Sequence, residues 1–418
     1  MSLDIEKIGD VCTVGDGAHA SIKRTLNGIP YYTSKNFKIE GIDLSKVDYI
    51  SEEDFKKHFR SNSNAITKPI KDDILLSIIG SIGAPHLVKD EDEFGLSSSV
   101  SILRPKVSKI EPKFLYYWIK SDDFQNAVHQ IKSGVAQSFL SLSMIKQLPV
   151  IYPKSLETQK RIASILSTYD NLIENNLKRI KLLEETAQNI YKEWFVNFRF
   201  PNYEHTDFDA ESGLPVGWEK NKLEEVAKLI HGYAFDAKRF TEEPTTVMVL
   251  RMGNFKEKGG LQLDKNVKYI SKEYDFNEKF KLFAGDLIIV LSDVTRDGRI
   301  IGNVGILPDY GIEYALNQRV AKLECENKIK TYLYCALNSF DFKEHCKPRA
   351  NGATVLNLKS IDVNEYKIIL PPESIIESFS AIINPLLKIM ENLDLQNQKL
   401  KEVRDILLPR LMNRTIEV

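Results

Sequence analysis

Three short stretches in the second half of the chain place cations and amides where they would contribute little to a core. "VTRDGRIIGN" carries Arg296, Arg299 and Asn303, "LNQR" carries Asn317, Gln318 and Arg319, and "CKPRANGAT" carries Lys347, Arg349 and Asn351. Two basic residues and an amide beside a glycine make a positive, flexible tip that gains little by folding inward. Arg and Lys grip phosphate and the guanine edge, while Asn and Gln match the adenine edge, so the chemistry available is nucleic-acid reading from loops. The first half holds counterparts: Lys23 and Arg24 in "ASIKRTLNG", Lys35 and Asn36 in "YTSKNFK", Lys56, Lys57 and Arg60 in "KKHFRSNSN", and Gln137 and Ser138 in "SGVAQS". Taken singly, each also reads as an ordinary solvated loop residue; as a group they favour function.

Catalytic chemistry is not apparent. There is no G-x-x-x-x-G-K-[ST] phosphate loop, and no Asp/Asn-Pro-Pro-aromatic motif of the kind that grips an amine for methylation. "LPPES" at Leu370 reads as a strand-to-helix joint, and neither His58 nor His231 has a partner at catalytic spacing. Cys12, Cys325, Cys335 and Cys346 are spaced unlike zinc ligands and read as reduced thiols, so no metal site is expected. No catalytic residue is assigned.

The 418 residues are 43% hydrophobic and 28% charged, the range of a soluble chain with two or three cores. The net charge of −1 does not by itself announce a nucleic-acid binder, which leaves the work to local basic faces. No run reaches the roughly 18 apolar residues of a membrane span, and "MSLDIEKIGD" has neither a basic nor an apolar leader region. A cytosolic location, without a membrane partner, is the expectation.

The loops must be positioned by something, and the chain writes that scaffold twice. "VDYIS" at Val47 returns as "VKYIS" at Val267, and "GVAQSFLSLSMIKQLPVIYP" from Gly134 aligns with "GATVLNLKSIDVNEYKIILP" from Gly352. "IKDDILLSIIG" and "LFAGDLIIVLSD" are apolar runs led by Asp, read as buried strands. Each copy continues with an aromatic helix, a Gly-containing loop, a strand, a proline and a long helix. The expected fold is α+β: two tandem similar domains at 1–153 and 218–371, long helices at 154–200 and 372–418, and a linker at 201–217.

Steps of four and three along the first long helix give Ile162, Leu166, Tyr169, Ile173, Asn176, Ile180, Leu183, Ala187, Ile190 and Trp194. The second gives Phe379, Ile382, Leu386, Ile389, Leu393, Gln396, Leu400, Val403 and Leu407. These are coiled-coil seams, and antiparallel pairing would set Asn176 opposite Gln396 as a polar layer fixing register. Pro385 predicts a helix start or a kink. A helix of this kind is on the order of 60 Å long. Two similar modules on such a rod suit a substrate with spaced, two-fold elements, of which duplex DNA is the commonest.

At this point the chain resembles the specificity subunits of type I restriction-modification enzymes, over nearly its whole length. The resemblance is carried by "LKEVRDILLPRLMNRTI" from Leu400, "YKEWFVNFRFP" from Tyr191 leading to "SGLPVGWE", "HGYAFDAKRF" from His231, "RMGNF" from Arg251 and "ALNQRV" from Ala315. It adds Arg251 and Asn254 to the candidate DNA contacts. The first copy departs from the pattern, with "VGDGAHASI" where the second has "HGYAF". The resemblance implies a non-catalytic chain in which each recognition domain reads half of a bipartite double-stranded DNA target, while the helical spacer docks two methyltransferase subunits. S-adenosylmethionine, ATP and Mg would then belong to methyltransferase and motor-nuclease partners, with no cofactor in this chain. The alternative is a coiled-coil-spaced scaffold or binding protein for a non-DNA ligand.

Overall fold

The computed structural model describes residues 3–39, 41–60, 66–133, 139–271, 273–295, 297–413 and 415–418. Its contacts divide the chain into two compact units, Met1–Glu174 with Lys399–Val418, and Asn175–Gln398. The boundary falls within the long helices rather than at their ends. Leu156–Tyr191 and Glu373–Met412 each contribute one part to each unit.

In unit 1 a four-stranded antiparallel sheet runs Cys12–Asp16, Val100–Pro105, Ile74–Ser77, Pro85–Leu87. Unit 2 repeats that order with Ala227–His231, Val320–Cys325, Leu287–Val290 and Val304–Ile306. The two central runs, Ile74–Ser77 and Leu287–Val290, are buried throughout, as expected of strands covered on both faces. The Asp that leads each run closes a turn and pairs with the neighbouring strand. Asp73 accepts from the Ile70 amide (2.9 Å) and from Nε and Nη2 of Arg104 (2.9 and 2.8 Å); Asp286 accepts from the Phe283 amide (3.0 Å) and pairs with Lys322 (2.8 Å).

The matching pentapeptides also hold equivalent places. Asp48–Ile50 pairs antiparallel with Ile29–Tyr32, and Tyr269–Ile270 lies antiparallel to Val247–Leu250. Those two partner strands run parallel to Gly95–Leu96 and Glu313–Leu316, respectively. Each unit is closed by pairing its opening strand with the strand before the long helix: Leu3–Lys7 with Pro149–Pro153, and Glu219–Lys222 with Lys367–Leu370.

The long helices pack on these sheets through their apolar stripes. In unit 1, Ile162, Ala163 and Leu166 share a core with Phe114, Trp118, Leu411 and Met412. Nearby, Asp170 accepts from the Tyr117 hydroxyl (2.7 Å) and from Nη1 of Arg404 (2.6 Å). In unit 2, Tyr191, Trp194 and Phe195 join Tyr332 and Phe379, with the Phe195 and Phe379 rings 4.9 Å apart and edge-on. Further along, Ile180 meets Met390 and Leu393, and Asn176 Nδ2 donates to Oδ1 of Asn397 (3.0 Å). Within each unit the paired residue numbers rise on one helix as they fall on the other, so the segments are antiparallel.

Two expectations for the second helix are corrected. Gln396 is exposed, and Asn397 takes the buried place facing Asn176. The same one-residue shift puts Ile383 and Met390 in the core while Ile382 and Ile389 stay 43% and 40% exposed. A seam stepping four-three and one stepping three-four share every seventh residue. With Ile382 beside Ile383 and Ile389 beside Met390, hydrophobicity does not choose between them. Second, the helix does not start after Pro385 but includes it as part of one element, Glu373–Met412. Pro385 and Ala381 are exposed, so the carbonyl deprived of its amide partner faces water.

Candidate nucleic-acid interface

Beneath the candidate loops of each unit lies the same backbone device. After Ile29–Tyr32 a 3-10 turn at Ser34–Asn36 brings Asn36 under the loop, and after Val247–Leu250 a turn at Met252–Asn254 does the same with Asn254. Asn36 Oδ1 accepts from the Thr33 amide (3.0 Å) while Nδ2 donates to the carbonyls of Asp43 (3.1 Å) and Lys46 (2.9 Å). Asn254 Oδ1 accepts from the Arg251 amide (2.9 Å) and Nδ2 donates to the carbonyl of Lys265 (3.2 Å). Both are buried and committed to backbone as clamps that shape the loops, which opposes the expected DNA contact at Asn36 and Asn254. "YTSKNF" and "LRMGNF" hide this role because an amide suited to an adenine edge is equally suited to a peptide.

A close backbone approach completes the corner. Ala18 bridges Ser97 and Tyr233 bridges Asn317, each in parallel sense. Gly17 and Gly232 precede them, and a Cβ at either would overlap the facing backbone of Leu96–Ser97 or Leu316–Asn317. The first copy therefore does contain the counterpart of "HGYAF": it is "DGAHA", recognisable by the glycine alone. Phe235 is buried, as a packing role requires, whereas Tyr233 is 47% exposed with its ring 5.2 Å from Phe280.

The remaining candidates divide into engaged and free. Arg299 is held by Asp297 (2.8 Å) and Glu257 (3.0 Å), and these carboxylates push its proton affinity upward. Arg24 lies over the Tyr31 ring (3.9 Å), reaches Asp48 (3.2 Å) and donates to the Ile22 carbonyl (2.8 Å). For Arg299 and Arg24 these ties oppose the expected DNA contact, because ligand must displace an internal partner. Lys23, Lys35, Lys57, Arg60, Gln318 and Lys347 are exposed, as is Lys56 beside Glu52 (3.3 Å). Gln137, Ser138 and Arg296 lie outside the described residues.

In unit 2 two of the candidate loops are brought together. Ser292–Asp293 pairs with Leu356–Asn357, Ser292 Oγ donates to Oδ1 of Asn357 (2.7 Å), and Asn351 exchanges backbone hydrogen bonds with Asn357 (3.1 and 2.9 Å). The exposed tip Lys347–Asn351 is thereby fixed at the edge that carries Arg299. Arg349 Nη1 caps the His345 carbonyl (2.8 Å) and Asn351 Nδ2 the Arg349 carbonyl (2.8 Å), which rigidify the tip without burying it. Asn303, a candidate by type, is buried; it donates to the Lys256 carbonyl and accepts from the Lys343 ammonium. Burial pulls Lys343 down to about 8, a perturbation that the sequence does not announce.

No enzyme-like constellation accompanies these loops among the described residues. His231 pairs with Ser360 Oγ (2.7 Å), and no group of three or more His, Cys, Asp or Glu could hold a metal ion. Burial pushes the Cys12 and Cys346 thiols up to about 12, away from nucleophilic use.

A doubled scaffold bearing arginine and amide loops matches one family along most of its length. The family described as "Type I restriction modification DNA specificity domain" matches residues 3–185 and again 215–404. The chain belongs to the type I restriction-modification DNA specificity family. It is 27% identical to the type I restriction enzyme MjaIX specificity subunit of Methanocaldococcus jannaschii, covering 98% of this chain and 92% of that one. It is 22% identical to the HindI specificity subunit of Haemophilus influenzae over 83% of this chain and 87% of that one. The crystal structure of the S subunit of a type I restriction-modification system from M. genitalium shares the fold at a TM-score of 0.56, with 17% identity and 98% and 96% coverage. As a type I specificity subunit the chain recognises DNA targets and is non-catalytic, and the reading as a scaffold for a non-DNA ligand finds no support.

Proposed function

We propose that this specificity subunit recognises a two-part double-stranded DNA sequence, one part through each unit, and that its long helices dock two methyltransferase subunits. The observation that carries the two-part reading is the twice-built loop corner, with the same asparagine clamp and the same glycine approach but different side chains above. One scaffold with two sets of donors suits two different half-sequences. Docking is supported by apolar side chains that the helices leave in water: Leu172, Val403 and Ile406 in unit 1, and Leu177, Leu182, Ile382 and Ile389 in unit 2. Motor-nuclease subunits would join the same complex. S-adenosylmethionine would serve the methyltransferases, and ATP and Mg the motor-nuclease. All of this fits the cytoplasm; among the described residues no helix is long and apolar enough to cross a membrane.

Methylation mapping in a host carrying the chain with its methyltransferase tests the reading. Exchange of residues 218–371 for those of another member should change one half of the methylated motif and leave the other. An unchanged motif, or a change in both halves, would sink it.

A further inference from the structure

The equivalent corners of the two units carry opposite chemistry. In unit 1 the corner is made of Ala18, Thr33 and Ser97–Ser99, and its hydroxyls satisfy one another: Ser97 Oγ lies 2.5 Å from Ser99 Oγ, which also accepts from the Ser34 amide (3.0 Å). In unit 2 the same places hold Tyr233, Arg251 and Asn317–Arg319. The Arg319 guanidinium makes no hydrogen bond or ion pair among the described residues, and its Nη1 is buried without an acceptor. Arg251 donates Nη2 to the Asn266 carbonyl (2.6 Å) and leaves Nε buried and unpaired. Of five such orphaned side-chain atoms among the described residues, two therefore belong to this one corner.

An unpaired guanidinium nitrogen withdrawn from water is unfavourable, and each instance calls for a reason. The fold does not supply one, since unit 1 builds the corner with serines. The reason then lies outside the chain, in an acceptor that arrives with the target. A guanidinium fork is matched by the O6 and N7 pair of guanine, and also by phosphate oxygens. The corner points to the base. Arg319 has no internal bond to break in swinging outward, and it is flanked by exposed Gln318 and by the half-exposed Tyr233 ring, which can bear on a base edge.

We propose that Arg319 reads a guanine in the half of the target bound by unit 2. The proposal rests on the two-part DNA reading above. Selection from a random duplex library by the full chain in its methyltransferase complex tests it, with wild type, Arg319→Lys, Arg319→Ala and the triple change N317S/Q318S/R319S. The triple change imports the serines that unit 1 already folds around.

Wild type should select two half-motifs, one containing guanine. The variants should lower the preference for that guanine roughly 10- to 100-fold and leave the other half unchanged. A preference that survives in all three variants overturns the proposal, as does a wild-type motif without guanine. An affinity loss equal across all duplexes, with a shallower salt dependence, marks a phosphate contact and also overturns it. If wild type selects no two-part motif, the two-part reading itself fails, a result visible before any variant is examined.

Discussion

Asn176 and Asn397 face each other across the helix pair of unit 2, with Nδ2 of the first 3.0 Å from Oδ1 of the second, while Nδ2 of Asn397 has no partner among the described residues. The layer is half satisfied, so its contribution is to register rather than to stability: any slip of the helices would put both amides against leucine and methionine. Asn176→Leu should destabilise unit 2 by about 1–3 kcal/mol, because Asn397 then loses its one bond. The double change to Leu should recover wild-type stability or exceed it. Chemical denaturation checks both, and a double variant as unstable as the single would contradict the assignment.

Asp170 accepts from both Tyr117 and Arg404 in unit 1, joining the aromatic helix to both long helices. With Arg404 only 18% exposed, Asp170→Ala should cost about 2 kcal/mol, more than an ordinary surface pair. Tyr117→Phe should cost about 1 kcal/mol. Thermal melts should show the two losses to be less than additive.

Asn254, buried, clamps a loop through the Arg251 amide and the Lys265 carbonyl. Asn254→Ala should lower stability by about 2 kcal/mol by freeing the Arg251 amide and the Lys265 carbonyl. Its effect on DNA binding should disappear under conditions that restore folding, such as lower temperature. A binding defect that persists in fully folded protein would return Asn254 to the interface.

Lys343 is half-buried, with its proton affinity lowered to about 8 from an unfolded value of 10.5. Between these values the unfolded chain binds more protons than the folded one, so this group makes stability rise with pH from about 8 toward 10.5. Lys343→Gln keeps a donor for Asn303 and removes the titration. The stability of wild type relative to the variant, followed by denaturation from pH 7 to 10, should rise by roughly 1–3 kcal/mol. A difference independent of pH would refute the burial argument.

Lys347 and Arg349 occupy an exposed tip held by backbone pairing. Replacing both with Ala should weaken DNA binding without altering the fold, and flatten the slope of log affinity against log salt by about 2. Titration at several ionic strengths checks this; an unchanged slope would take the tip off the phosphate path.

The doubled design was legible in the sequence because it rests on local rules. Buried β-runs led by Asp, aromatic helices, prolines before long helices and heptad stripes announce themselves through residue type and period, and the two copies corroborate each other. Family membership was legible for the same reason. What tertiary structure decided was the use of each polar side chain. Asn36 and Asn254 look like base readers, yet they satisfy peptides because the loops curl over them, while the Arg319 guanidinium is left without a partner among the described residues by a corner assembled from three distant segments. The choice of Asn397 over Gln396 was likewise hidden. Adjacent residues on a helix differ by about 100° in direction, and only the facing helix fixes which one is buried. Periodicity determines that a seam exists; packing determines its phase, and which donors remain for DNA.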